Sequence, residues 1–258
     1  MILENKVVLV TGAANGLGAG VAEALLASGA RVAMADLNAT ALESARARLD
    51  PSGARTLATA ADVTNEAAVD AFVSRAAAAF GRVDALVNNA GVIVMGAALE
   101  ESARALEAQF AVNVGGLFGC CKAAARVMIA QGDGGAIVNI ASNAGKVGFP
   151  AMAGYNASKA AVINLTRTLA AEWAPHGINV NAVCPGSVAT PMLRNVADFL
   201  ASQSGLSAES HFEKMVPAQL RRHIQPVEVG RVVAFLLSAD AAIIRGQSIN
   251  VDGGETPY

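Results

Sequence analysis

One feature constrains this chain more than any other: a rhythm that runs through all 258 residues. Short apolar runs ending in Gly, Asn, Ser or Pro alternate with longer segments of helical periodicity. Val7–Val10 runs into a glycine-rich turn and Arg31–Ala35 ends at Asp36. Ala85–Val87 ends at Asn88-Asn89-Ala90-Gly91, Ala136–Ile140 at Ala141-Ser142, Ile178–Val183 at Pro185-Gly186, and Ser248–Val251 at Gly253-Gly254. These runs are apolar at consecutive positions, not at every second one, as in strands buried on both faces. Between them, Leu17–Ser28 closes at Gly29, a residue suited to a helix C-terminus. Val69, Phe72, Val73, Ala76, Ala77 and Phe80 recur at helical spacing before Gly81, Ala157–Trp173 stops before Pro175, and Val227–Ser238 is again helical. The alternation predicts an α/β fold, a doubly wound parallel sheet with helices on both faces.

No Pro/Ser-rich linker, composition break or internal repeat divides the chain, so residues 1–258 are expected to form a single domain. The stretch at about 191–225 breaks the rhythm and is richer in polar residues; it is expected to be an insertion over the sheet edge. The net charge of -2 and a pI near 5.9 give no basic patch for nucleic acid. The longest uncharged stretch, Trp173 to Leu193, contains Pro175, Pro185 and Pro191 and is not a membrane-spanning helix. Met-Ile-Leu-Glu-Asn-Lys at the start lacks the basic region and cleavage site of a secretion signal. Cys120, Cys121 and Cys184 have no metal-ligand spacing and read as reduced, buried thiols. A cytoplasmic protein without a metal is the expectation.

In open parallel sheets, ligands bind beyond the carboxyl ends of the strands. The first such end reads Thr11-Gly12-Ala13-Ala14-Asn15-Gly16-Leu17-Gly18 and opens a helix. Glycines there let backbone N–H groups approach a pyrophosphate, and the helix N-terminus favours its negative charge. The same residues also suit a plain tight strand–helix connection. Asp36 favours the first reading, because a carboxylate at the end of the second strand accepts hydrogen bonds from the ribose hydroxyls of NAD and repels the 2′-phosphate of NADP. Asn15 and Leu37, where a cation would favour NADP, are neutral. NAD is the expected cofactor.

Tyr155 and Lys159 are four residues apart on a helix and share a face. A tyrosine is a weak acid or base at neutral pH, since its pKa is about 10, and a neighbouring ammonium lowers it. Ser142, at the end of a neighbouring strand, can hold a substrate oxygen. A Tyr-x-x-x-Lys spacing alone also fits an exposed helical pair. Its company decides the reading: a glycine turn, a ribose acid and a strand-end serine.

Taken together, these residues resemble the short-chain dehydrogenase/reductase family over nearly the whole chain, from Val7 to Gly254. The resemblance rests on Thr11–Gly18, Asp62-Val63, Asn88–Gly91, Asn113, Ser142, Tyr155, Lys159 and Pro185-Gly186. It implies a Rossmann-like fold and a role for each position. Asp62 and Val63 would contact adenine; Asn89, Ala90 and Gly91 would line the adenosine ribose side and brace the sheet. Asn113 would sit at a helix irregularity and hold a water linking Lys159 to solvent. Lys159 would also bind the nicotinamide ribose, Pro185 and Gly186 would belong to the cofactor site, and Val188 and Thr190 would meet the carboxamide of nicotinamide. The resemblance further implies a homotetramer built on helices around Leu106–Met128 and Gly154–Trp173.

The implied reaction is hydride transfer between NAD and a secondary alcohol, with Tyr155 as general acid/base. Sugars, polyols and other small hydroxy compounds lead; a 3-oxoacyl ketoreductase and a non-catalytic dinucleotide-binding regulator are the alternatives. The substrate pocket is expected among Val94, Met95, Asn143, Lys146, Val147, Phe149, Met152, Gly186, Met192 and the 191–225 insertion. Lys146, Arg194, His211, Arg221 and Arg222 are the cations that a polar or anionic substrate could use, unless they are ordinary surface charge.

Overall fold

The computed structural model describes residues 1–258. Seven strands form one all-parallel sheet: β1 (Val7–Thr11), β2 (Arg31–Asp36), β3 (Thr56–Ala60), β4 (Ala85–Asn88), β5 (Gly135–Ile140), β6 (Ile178–Pro185) and β7 (Ser248–Val251). Their order is β3-β2-β1-β4-β5-β6-β7. The chain therefore winds outward from β1 in one direction and from β4 in the other, and a crevice opens where the order reverses. Register follows the hydrophobic runs, with Val8 beside Val32 on one side and Ala85 on the other.

Successive strand residues point to opposite faces. Val8 and Val10 of β1 join Val32 and Met34 of β2 under helices α1 (Gly16–Ala27), α2 (Ala39–Leu49) and α9 (Pro226–Leu236). Leu9, Ala33 and Ala35 face the other layer, formed by α3 (Glu66–Phe80), α5 (Leu117–Gln131) and α6 (Ala153–Trp173). The two cores contain 27 and 26 buried residues, so the sheet is covered about equally on both sides. That balance is why the strands carry no polar alternation.

Helix α4 (Ala103–Phe110) continues into α5 through a π-helical turn at Ala111–Gly116. Such turns insert an extra residue into a helix and re-aim its side chains. The run Ala103–Gln131 is long and apolar enough to cross a membrane by length and composition. Its Leu117, Cys120, Cys121, Ala124 and Met128 are instead buried in the second core. Burial raises the thiols, with Cys120 pushed up to about 12, so both cysteines are held as neutral packing groups.

Three details depart from the sequence expectations. Helix α6 begins at Ala153, four residues ahead of the expected start, which places Tyr155 in its first turn. Helix α2 and strand β3 carry too few apolar residues to stand out in the rhythm; only Leu42 and Ala45 of α2 are buried. The 191–225 stretch holds two helices, α7 (Pro191–Gln203) and α8 (Ala208–Lys214), and returns to the body through a bridge between Val188 and Ile224.

Candidate active site

The ends of β1 and β4 are tied together at the crevice. Thr11 Oγ1 accepts hydrogen bonds from the backbone N–H groups of Asn89 and Ala90, both at 3.1 Å. The Asn89 amide donates to the carbonyls of Thr11 and Gly12, at 3.1 and 2.9 Å. The turn is thus braced from behind while its front stays open. Gly12 has φ +65°, and a Cβ on Gly18 would fall 2.0 Å from the Gly12 carbonyl oxygen, so neither position tolerates a side chain.

Helix α1 starts without a cap. Asn15 makes no capping hydrogen bond and no acidic residue stands in the first turn. Asn38, Asn65, Ser102 and Thr190 do cap the helices that follow them. A bare helix N-terminus facing a cavity is suited to an anionic group. Asp36 lies beside it, its carboxylate fixed by the backbone N–H groups of Ala14 and Asn38, each at 3.0 Å. Arg48 of α2, which the sequence reading passed over, borders a shallow depression together with Ala14 and Asn15.

Across the crevice stand Ser142, Tyr155 and Lys159, all buried. Ser142 follows β5; its hydroxyl accepts from Ala144 N at 3.1 Å and donates to Asn143 Oδ1 at 3.3 Å. Lys159 Nζ donates to the Ile140 carbonyl at 2.9 Å and lies 5.7 Å from the Tyr155 ring centroid. Burial pushes Lys159 down to about 8. Burial also raises the Tyr155 phenol, against the opposing effect of Ser142. In the protein alone, Lys159 is turned to a carbonyl and desolvation dominates the phenol.

Asn113 lies within the π-helical turn, matching the helix irregularity that the resemblance implied. Its Oδ1 accepts from Val92 N at 2.8 Å, and its amide donates to Val92 O at 2.9 Å and Ser158 Oγ at 3.0 Å. The side chain thereby fastens the loop after β4 to α6. A Cβ on Gly91 would sit 3.2 Å from Asn113 Oδ1 and 3.5 Å from Lys159 Nζ, so Gly91 leaves room for both.

One cavity of about 560 Å³ collects most of the expected residues. Gly12, Asn15, Gly16, Leu17, Asn89, Ala90 and Gly91 line one side; Ser142, Tyr155, Lys159, Pro185, Gly186, Val188 and Thr190 line the rest. Gly18, Asp36, Leu37, Asp62, Val63 and Asn113 are not on its wall. Asp36 and Gly18 flank the turn, and the exposed Asp62 closes on its own loop by accepting from Thr64 N at 2.9 Å. The glycine wall, the uncapped helix and the anchored carboxylate together fit a dinucleotide.

The expected substrate wall is half right. Asn143, Phe149, Met152, Gly186 and Met192 line the cavity, with Leu193, Val196 and Leu200 of α7; Val94, Met95, Lys146 and Val147 do not. None of the candidate cations faces it. Lys146 donates to the Ser248 carbonyl at 2.7 Å, Arg194 pairs with Glu209 at 3.2 Å, His211 meets Ser204 at 2.6 Å and Arg222 pairs with Glu228 at 2.6 Å. Arg221 is exposed, with φ +58°. The sequence reading missed Ser187 and Glu255, both on the wall. Glu255 follows the Gly253-Gly254 end of β7, and the rule that singled out Ser142 at a strand end would have found it too.

Comparison with known proteins agrees with this geometry. The family described as "Enoyl-(Acyl carrier protein) reductase" matches residues 12–256. The chain is 39% identical over 254 residues to 2-(S)-hydroxypropyl-CoM dehydrogenase 3 of Xanthobacter autotrophicus, covering 98% of each protein. It is 39% identical to D-threitol dehydrogenase of Mycolicibacterium smegmatis, covering 98% of this chain and 94% of that protein. A crystal structure of a variant actinorhodin polyketide ketoreductase with NADPH superposes with a TM-score of 0.93 at 36% identity, covering 98% of both chains.

Proposed function

Because this chain belongs to the short-chain dehydrogenase/reductase family of oxidoreductases, we propose that it interconverts a secondary alcohol and its ketone or lactone, with NAD as the preferred cofactor and Tyr155 as general acid/base. The observation that carries this reading is the single cavity in which Ser142, Tyr155 and Lys159 stand opposite the glycine turn. The dinucleotide, when bound, takes or gives the hydride. The chain's own residues do the rest. Ser142 holds the substrate oxygen, Tyr155 Oη takes or returns its proton, and Lys159, freed from the Ile140 carbonyl, binds a ribose hydroxyl and stabilises phenolate. Asn113 positions α6 through Ser158.

Asp36 supports NAD over NADP, because its anchored carboxylate keeps acceptor capacity for two ribose hydroxyls and repels a phosphate. The NADPH in the ketoreductase structure is the observation that keeps a 3-oxoacyl ketoreductase as the second reading. Residues 1–258 act as one cytoplasmic unit in this account, with α7 and α8 as the substrate-side insertion. Leu106, Phe118 and Ile129 are exposed on α4 and α5 and supply the apolar face of a homotetramer.

The test is a screen of secondary alcohols, sugars and polyols with NAD and NADP side by side, read as reduced-cofactor absorbance. Turnover of small alcohols with NAD supports the proposal. Turnover of 3-oxoacyl thioesters with NADPH alone replaces it with the second reading, and cofactor binding without any turnover leaves a binding protein.

A further inference from the structure

Glu255 has no part in the chemistry just described, yet its carboxylate lines the same cavity as Tyr155. It is exposed but held in place. Oε2 accepts from Ser187 N at 3.1 Å and from Asn143 Nδ2 at 3.2 Å, and Oε1 accepts from Ser187 Oγ at 3.0 Å. The loop that presents it is tied down by the buried Asp252, which accepts from Gly254 N at 3.0 Å and Thr256 N at 2.9 Å. Gly186 leaves the space: a Cβ there would lie 2.2 Å from Glu255 Oε2. Asn143 then bridges the carboxylate to Ser142, whose hydroxyl donates to Asn143 Oδ1 at 3.3 Å.

The arrangement leaves Oε1 with a free acceptor position, since a carboxylate takes about four hydrogen bonds and three are used. The only other charged residue on the cavity wall is Lys159, which the proposed chemistry already occupies. Phe149, Met152 and Met192 add an apolar stretch to the same wall.

Resting on the alcohol-oxidoreductase reading above, we infer that Glu255 is a specificity-determining residue. It accepts a hydrogen bond from a second hydroxyl of the substrate, a few carbons from the reacting carbinol, and selects neutral polyhydroxylated compounds over anionic ones. A carboxylate rewards a hydroxyl donor and repels another carboxylate, sulfonate or phosphate at the same place. The apolar wall accommodates the carbon skeleton between the two hydroxyls.

The test compares three four-carbon alcohols on the wild-type enzyme, Glu255→Gln and Glu255→Ala: a tetritol, butan-2-ol, and 3-hydroxybutyrate with its terminal carboxylate. The readout is the ratio of kcat/KM values within each protein. In Glu255→Ala the tetritol/butan-2-ol ratio falls by about tenfold or more, the scale of a hydrogen bond to a charged group. Most of the change lies in KM. In Glu255→Gln the 3-hydroxybutyrate/butan-2-ol ratio rises by about tenfold. A merely structural role would slow all three substrates together, so unchanged ratios overturn the inference. If the wild-type enzyme oxidises no alcohol, sugar or polyol of the wider screen with either cofactor, the alcohol reading itself falls, a different outcome from turnover with unchanged ratios.

Discussion

The two walls of the cavity are built in different ways. The wall from β1 to β4 is made of backbone: glycines, an uncapped helix N-terminus, N–H groups held by the Thr11 hydroxyl and carbonyls held by the Asn89 amide. The wall from β5 to the C-terminus is made of side chains, from Ser142 and Tyr155 to Met192 and Glu255. Backbone groups recognise what all dinucleotides share, so their requirement is spacing. Side chains select one substrate among many, and they come from strands, helices and the terminal loop far apart in sequence. The first wall is generic and locally encoded; the second is particular and assembled only by folding.

Among changes to dinucleotide binding, those to the turn behind the first wall come first. Gly18→Val drives a side chain into the Gly12 carbonyl and lowers affinity for the dinucleotide by about tenfold to a hundredfold, the range that a local strain of about 1–3 kcal/mol produces. Calorimetric titration checks it, with thermal unfolding run alongside to confirm that the variant folds. Asp36→Ala is next. It shifts the NAD/NADP preference towards NADP by about tenfold or more, as removal of a charged hydrogen-bond partner does. Arg48, beside Ala14 and Asn15, is placed to gain a phosphate partner. An unchanged kcat/KM ratio for the two cofactors would show that another group reads the ribose.

A smaller change, in thermal stability, separates the second wall from the first. Lys159 is buried, and its ammonium is pushed down to about 8 from 10.5. Between those values the unfolded chain binds more protons than the folded one, so stability gained from this group rises as pH increases through that window. Lys159→Met removes the buried charge. It raises Tm by about 2–4 °C at pH 7 while abolishing turnover, and the Tm difference from wild type shrinks as pH rises from 8 towards 10.5. A difference that is flat with pH would show that the charge carries no burial penalty.

The contrast also explains what could be read from the sequence. The glycine turn, Asp36, Ser142, Tyr155 and Lys159 stand at strand ends or share a helix turn, so local pattern and spacing located them. The strands with fully buried faces were equally plain. Helix α2 and β3 were not, because their apolar content is low at the sheet's edge. The candidate cations were misjudged because each finds a local partner, such as Glu209 for Arg194 and Glu228 for Arg222, and partners of surface charges leave no mark in a single sequence. The position of Glu255 after a strand end is legible in the sequence, but its anchoring by Asn143 and Ser187 is not, because both reach it across long separations in the chain.

The two walls do separable work: one holds the dinucleotide and the other performs the proton transfer. Tyr155→Phe, measured for NAD binding by titration and for alcohol oxidation by absorbance, separates the two. NAD affinity stays within about threefold of wild type, while turnover falls by about a thousandfold, in the range of general acid–base catalysis. Turnover retained in the variant, or lost only together with NAD binding, would contradict that separation.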